Sequence, residues 1–121
     1  MQTRQTIARG VAAALALATL ALAISAFGPC AWAEDASATL TIKDHKFDPA
    51  ILEVPAGAKI KLLVRNQDST AEEFDSYALN REKVIPAGGE GIVFIGPLDP
   101  GTYEFMGEFH ADTAQGKVVA K

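Results

Sequence analysis

The sequence predicts an all-β Greek-key sandwich of seven to eight short strands. Several short runs alternate between apolar and polar residues, as around Ile60, Leu62 and Val64, and a period of two is typical of half-buried strands. Turn residues such as Pro55-Ala56-Gly57 separate these runs at intervals of about 8–12 residues. No run after residue 38 keeps the period of an amphipathic helix, which favours a sandwich over a helical fold.

Each predicted strand is a short apolar or alternating run that ends at a turn. A strand at 92–95 is fully apolar and is closed by Gly96-Pro97, and one at 83–85 stops at Pro86. Residues 78–82 fit a single helical turn between strands. The predicted strands are residues 39–43, 51–54, 59–64, 72–77, 83–85, 92–95, 102–106 and 117–120.

The first 33 residues have the pattern of a cleavable secretory signal peptide. Arg4 and Arg9 precede a mostly Ala/Leu apolar run at 11–24, and an A-W-A cleavage pattern follows at 31–33. This run is shorter than the ~20 residues that span a bilayer. We therefore expect export to the periplasm, a short N-terminal linker at 34–38 and one domain at 39–121.

Removal of residues 1–33 makes the remaining chain strongly acidic. Arg4 and Arg9 leave with the signal peptide, so 9 basic residues remain against 15 acidic ones, a net charge of −6. This charge argues against nucleic acid or an anionic membrane surface as a partner. Cys30 is the only cysteine and lies within the predicted signal peptide, so the exported domain has neither a disulfide nor a thiolate.

A series of motifs along the chain resembles the cupredoxins. The resemblance covers essentially all of residues 34–121 and implies the cupredoxin sandwich. The motifs are Phe47-x-Pro49, Val54-Pro55-Ala56-Gly57, Asn66, Pro100-Gly101-Thr102-Tyr103-x-Phe105, a loop with His110, and Gly116-Lys117-Val118.

The resemblance also implies where a copper site would lie and how it departs from the blue-copper type. His110 occupies the position of the second histidine ligand, and Gly107 that of the cysteine. The first histidine falls on Glu72 or Glu73, and the axial methionine falls on Ala114 or Gln115. Because the thiolate is absent, we expect a metal site that is not a blue type 1 site.

The two histidines are the first candidate metal ligands. His110 lies on the last loop, and the resemblance places the turn with His45 at the same end of the sandwich. Imidazole suits Cu(II), Zn(II) and iron. An exposed turn histidine is the alternative for His45, and a hydrogen-bonded histidine is the alternative for His110.

Carboxylates form the second set of candidates. Glu72, Glu73 and Asp75 crowd into four residues. Glu73 and Asp75 share one face of a strand, whereas Glu72 shares the other with Phe74. The family pattern favours Glu73 as a ligand, and Glu72 stays open because alignment with core Phe74 turns it inward. A solvated acidic edge is the alternative.

Three further residues complete the candidate set. Glu108 lies two residues before His110, so both side chains face one ion if the strand is still extended there. Met106 offers a thioether for Cu(I), with core packing as the alternative. Glu82 is the last candidate, and a surface pair with Lys83 is its alternative.

A narrower resemblance points to iron uptake. Glu73-Phe74-Asp75, Arg81-Glu82-Lys83 and Glu108-Phe109-His110 are similar to the small periplasmic cupredoxin-like proteins of bacterial iron-uptake operons, the FtrB type, and to EfeO-type cupredoxin domains. This resemblance implies copper-dependent Fe(II) oxidation, with copper as cofactor and iron as substrate or second metal. It implies a periplasmic iron-binding protein and an inner-membrane iron permease as partners. A non-enzymatic copper or iron binding protein or chaperone is the alternative.

Overall fold

The computed structural model describes residues 35–121, which form nine strands and one short 3₁₀ helix. The strands are β1 (Ala36–Lys43), β2 (Lys46–Asp48), β3 (Ile51–Val54), β4 (Ile60–Asn66), β5 (Glu72–Ser76), β6 (Arg81–Ile85), β7 (Glu90–Ile95), β8 (Gly101–Gly107) and β9 (Gln115–Ala120). The 3₁₀ helix, Glu108–His110, follows β8 directly. The signal peptide, the cleavage site and Cys30 lie outside the described residues, so these expectations stay predictions.

Two sheets face each other and confirm the predicted sandwich. One has four strands in the order β2-β1-β4-β7, and the other has five in the order β3-β9-β8-β5-β6. The pairs β1–β4 and β3–β9 are parallel, and the other pairs are antiparallel. Within residues 35–121 no helix is long and apolar enough to cross a membrane.

The core lies between the sheets and ends in an aromatic cluster beneath the last loops. Leu40, Ile60 and Leu62 are fully buried in its middle. The rings of Phe47 and Phe105 meet edge to face at 4.9 Å between centroids, a favoured geometry for aromatic pairs. Phe74 packs beside Phe105 at 5.2 Å and lies opposite Gly107 in the β5–β8 ladder.

Three local features differ from the sequence prediction. β1 begins at Ala36, so residues 36–38 of the predicted linker belong to the first strand. Lys46–Asp48 forms an additional short strand, β2, which pairs with β1. The helical turn expected at 78–82 is instead a turn at 77–80 followed by β6. Asn80 adopts a left-handed conformation with φ 52°, which ends the turn, and pairing with β5 extends the chain from Arg81 onward.

Candidate metal centre

Three side chains from distant parts of the chain converge at one end of the sandwich. His45 lies in the turn between β1 and β2, Glu72 begins β5, and His110 ends the 3₁₀ helix. Each offers a ligand atom, and these atoms lie within 4.8 Å of one another. The two imidazole rings stack with centroids 3.6 Å apart and planes inclined by 15°. The structure therefore brings the two histidines together, and it places Glu72 beside them.

Asp68 fixes the backbone that carries His45. Asp44 and His45 have φ values of 53° and 57°, a left-handed conformation that L-residues rarely adopt in succession. Their amides donate hydrogen bonds to the two carboxylate oxygens of Asp68, at 2.8 and 2.9 Å. The bond from the His45 amide is the main cause that holds the pKa of Asp68 below its ordinary value of 3.8, and the Asp44 amide adds to it.

Asn66 in turn holds the loop that contains Asp68. Its side-chain oxygen accepts a hydrogen bond from the Asp68 amide at 3.0 Å. Its side-chain nitrogen donates to the carbonyls of Thr70 at 2.8 Å and Ile85 at 3.2 Å. Because Asn66 is buried, these bonds anchor the loop to the core, and through Asp68 they orient His45.

His45 has a buried nitrogen that lacks a hydrogen-bond partner. Its Nδ1 is 3.5 Å from Oδ2 of Asp68, longer than the usual range for a hydrogen bond. It is the only such buried side-chain nitrogen or oxygen within residues 35–121. An unsatisfied buried polar group costs free energy, and a bound cation is one way to satisfy an imidazole nitrogen.

The Glu72 carboxylate is almost fully buried, with 1% of the residue exposed, and both of its oxygens have partners. Oε1 accepts hydrogen bonds from the amides of Glu73 and Phe109, each at 3.0 Å. Oε2 lies 2.5 Å from Nδ1 of His110. A carboxylate that holds one imidazole nitrogen sets the ring orientation and leaves the other nitrogen available.

The position that the resemblance assigns to the blue-copper cysteine, Gly107, is closed, as is Ala114, one of the two positions it offers for the axial methionine. A Cβ atom on Gly107 would lie 2.6 Å from Cδ of Glu72 and 2.7 Å from Cβ of Ala114. Ala114 is fully buried and accepts a hydrogen bond from the Gly107 amide at 2.8 Å. The Glu72 carboxylate thus occupies the space next to residue 107, and neither position offers sulfur.

The other predicted candidates lie on the outer face of the five-stranded sheet, away from the two histidines. Glu73 and Asp75 alternate with buried Glu72 and Phe74 along β5. Asp75 lies opposite both Glu82 on β6 and Met106 on β8. Met106 is 40% exposed, so it neither packs in the core nor reaches the histidines.

Glu108 diverges from His110 because the chain is no longer extended there. The prediction that both face one ion assumed a strand, whereas residues 108–110 form a 3₁₀ helix, in which residues two apart point in different directions. Glu108 instead joins Glu73 and Glu82 in a second group, whose ligand atoms lie within 4.8 Å of one another. Partial burial, followed by repulsion from Glu108, Glu82 and Asp75, raises the pKa of Glu73 above its ordinary value of 4.5.

Sequence reasoning left the choice between Glu72 and Glu73 open and ranked Glu73 first. The strand alternation with Phe74 was the signal for Glu72, and the structure follows it. Asp68 was not a candidate, because a loop aspartate that bonds two amides in another turn leaves no local pattern.

Comparison with known proteins identifies the family. The family model of the cupredoxin-like domain matches residues 11–120, so the chain belongs to this family. An uncharacterised protein of Rickettsia prowazekii is 50% identical over 80 residues, which cover 66% of this chain and 64% of the relative. The chain therefore spans less than two thirds of the length of that relative.

Solved structures share the fold at low sequence identity. Auracyanin B has a TM-score of 0.60 at 15% identity, with 71% of this chain and 88% of that chain covered. A purple cupredoxin from Nitrosopumilus maritimus has a TM-score of 0.55 at 19% identity, with 69% and 99% covered. These similarities support the fold. The metal site is inferred only from the residues of this chain.

Proposed function

We propose that this chain is an exported copper-binding protein that holds its metal with His45, Glu72 and His110. The observation that carries the proposal is the convergence of these three groups, whose ligand atoms lie within 4.8 Å of one another. His45 also has a buried Nδ1 that lacks a hydrogen-bond partner. Membership of the cupredoxin-like family supports copper over other metals. The predicted signal peptide supports a periplasmic location.

The donor set fits an oxygen- and nitrogen-ligated copper site. Two imidazoles and a carboxylate suit Cu(II), and the absence of sulfur at Gly107 and Ala114 removes the donors that favour Cu(I). Glu72 supplies negative charge and orients His110, while Asp68 fixes the turn with His45. Copper bound there would provide a one-electron acceptor for Fe(II), with dioxygen as the terminal oxidant.

The finer proposal is a step in iron uptake, either copper-dependent Fe(II) oxidation or iron hand-over. The similarity of the Glu73, Glu82 and Glu108 motifs to cupredoxin-like proteins of iron-uptake operons supports it. A periplasmic iron-binding protein and an inner-membrane permease are the proposed partners. A copper or iron carrier without turnover remains the second candidate, since the same three residues would serve it.

Aerobic consumption of Fe(II) distinguishes the two candidates. The apo protein, the copper-loaded protein and the copper-loaded His110→Ala variant are compared with a buffer blank. An oxidase converts many equivalents of Fe(II) per protein only with copper and with His110 present. If copper binds at fixed stoichiometry while Fe(II) loss equals the blank, the protein is a carrier and the oxidase proposal fails.

The role of the Glu72 carboxylate in metal binding can be tested with Glu73 as the matched control. Glu72→Gln keeps the size of the side chain but removes its charge, so we expect weaker Cu(II) binding. Glu73→Gln makes the same change one residue away on the opposite face. If both variants bind Cu(II) like the wild type, Glu72 has no part in the site.

A further inference from the structure

The outer face of strands β5, β6 and β8 concentrates negative charge that the described chain does not neutralise. Its carboxylates are Glu73, Asp75, Glu82, Glu104 and Glu108, which we call the acidic face. Within residues 35–121 none of the five forms a salt bridge. Lys117, opposite Glu104, is the only lysine or arginine that the strand alternation places on this side of β5, β6, β8 and β9.

The arrangement of these carboxylates works against the stability of the sheet. Asp75 and Glu82 lie directly opposite each other on neighbouring strands, and like charges in that position are destabilising. Glu73, Glu82 and Glu108 bring their oxygens within 4.8 Å of one another, and carboxylates this close repel one another. A cationic partner would relieve the repulsion upon binding.

A groove on this face has the dimensions and chemistry to receive a lysine side chain. It has a volume of about 400 Å³, and its walls include Asp75, Tyr77, Glu104 and Met106. Tyr77 is fully exposed and Met106 is 40% exposed. Apolar walls accept the carbon stem of a lysine, and the two carboxylates accept charge-assisted hydrogen bonds from its ammonium group.

We propose that the acidic face is a docking surface for a basic, lysine-rich protein. Charge complementarity selects this occupant, because the face presents five carboxylates, and two of them, Asp75 and Glu104, line a groove that suits a lysine. Glu108 and the half-exposed Phe109 continue the surface to the turn that carries His110. The surface thus reaches the 3₁₀ helix that ends at His110, although the proposal does not depend on a bound metal.

A second copy of the chain is a competing occupant of the acidic face, because the opposite side of the sandwich carries basic residues. The outer face of β4 and β7 carries Lys61 and Arg65 beside Ile92 and Phe94. Arg65 is paired with Glu90 at 3.0 Å, and Lys59 lies over the Phe94 ring. The Arg65–Glu90 pair reduces the free positive charge of that side, which favours a separate basic partner over a second copy.

The test uses a deca-lysine peptide as the probe and ¹⁵N-labelled protein in low salt. We expect chemical-shift changes at residues 73–77, 82–84 and 104–108 and weaker binding as salt screens the charges. The variant Glu73→Gln/Asp75→Asn/Glu82→Gln/Glu104→Gln should bind about tenfold more weakly or worse. The control Glu53→Gln/Glu90→Gln removes exposed carboxylates that have partners elsewhere and should retain most of the affinity.

Three outcomes would overturn the proposal. The control removes two charges and the variant removes four, so a control that loses about half as much binding free energy as the fourfold variant would show that only net charge matters. Self-association of the protein through this face, seen by sedimentation and abolished in the fourfold variant, would make the occupant a second copy. Displacement of the peptide by Mg²⁺, but not by NaCl of equal ionic strength, would make the face a site for a divalent cation.

Discussion

The carboxylate of Glu72 fills the space that a side chain on Gly107 would need. Cδ of Glu72 lies 2.6 Å from the ideal Cβ position of residue 107, while its oxygens hold the Phe109 amide and the His110 ring. The buried position of the Glu72 side chain therefore requires a glycine at 107. The residue that the resemblance places at the copper-binding cysteine is therefore packed against a buried carboxylate.

Gly107→Ala should destabilise the protein by about 1–3 kcal/mol, because overpacking a filled site forces neighbours to move. Urea unfolding of the apo protein measures the change. Gly101→Ala is the matched control on the same strand, since its Cβ would meet nothing closer than 3.8 Å. The cost of Gly107→Ala should shrink in a Glu72→Ala background, and additive costs would refute the coupling.

Copper-loaded protein should show no intense thiolate-to-copper charge-transfer band in its visible spectrum. The physical reason is that no sulfur atom lies at Gly107 or Ala114, and Met106 faces outward. Visible absorption and electron paramagnetic resonance of the Cu(II) form check this. An intense blue or purple colour would contradict the nitrogen and oxygen donor set.

Asp68→Ala should weaken Cu(II) binding without removing a ligand. The amides of Asp44 and His45 lose their acceptor, and their left-handed turn is no longer held, so the variant should also lose about 1–2 kcal/mol of unfolding free energy. Isothermal titration with Cu(II) and urea unfolding measure the two effects. Glu90→Gln, which breaks only an exposed pair with Arg65, should change neither by much.

The contribution of Asp68 to the free energy of unfolding should also disappear in acid. Its pKa is lower in the folded protein than the ordinary value of 3.8, so the stabilisation is present above that value and is lost as pH falls through the folded pKa. The difference in unfolding free energy between the wild type and Asp68→Ala should therefore become smaller as the pH falls below 3.8. A difference that stays constant down to the lowest pH would show that the carboxylate charge is irrelevant.

Glu73→Gln should stabilise the apo protein at neutral pH. The pKa of Glu73 is raised in the folded state from 4.5, so the unfolded chain ionises first and stability falls as pH rises through this range. The melting temperatures of variant and wild type should converge below that pKa and separate above it. Glu53→Gln, whose carboxylate is paired with Lys121 at 2.7 Å, should show no such stabilisation.

The fold could be predicted from the sequence because it depends on local signals. Alternating runs and turn residues predicted eight of the nine strands, and the motifs from Phe47 to Gly116 predicted their arrangement. The missing strand, β2, has only three residues, and a run that short has no measurable period. The cupredoxin motifs also indicated which loops meet.

The details of the site depend on signals that are not local. Whether Glu72 or Glu73 faces the histidines follows from the register of β5, which long-range pairing decides. Glu108 points away from His110 because residues 108–110 form a 3₁₀ helix. This helix has no side-chain cap that the sequence could have indicated. The Asp68 bonds join residues 23 and 24 positions apart, beyond the reach of any sequence window.

The stacked imidazoles link the beginning of the domain to its end. Strands β2 to β8 lie between His45 and His110 in the chain, so an ion bound by both histidines would act as a cross-link around a loop of 65 residues (110 minus 45). A ligand that binds only the folded state slows every opening that separates its donors. Hydrogen exchange in the β1–β2 turn and in the 3₁₀ helix should therefore slow together upon copper loading, as if the first hairpin and the last loop were one unit.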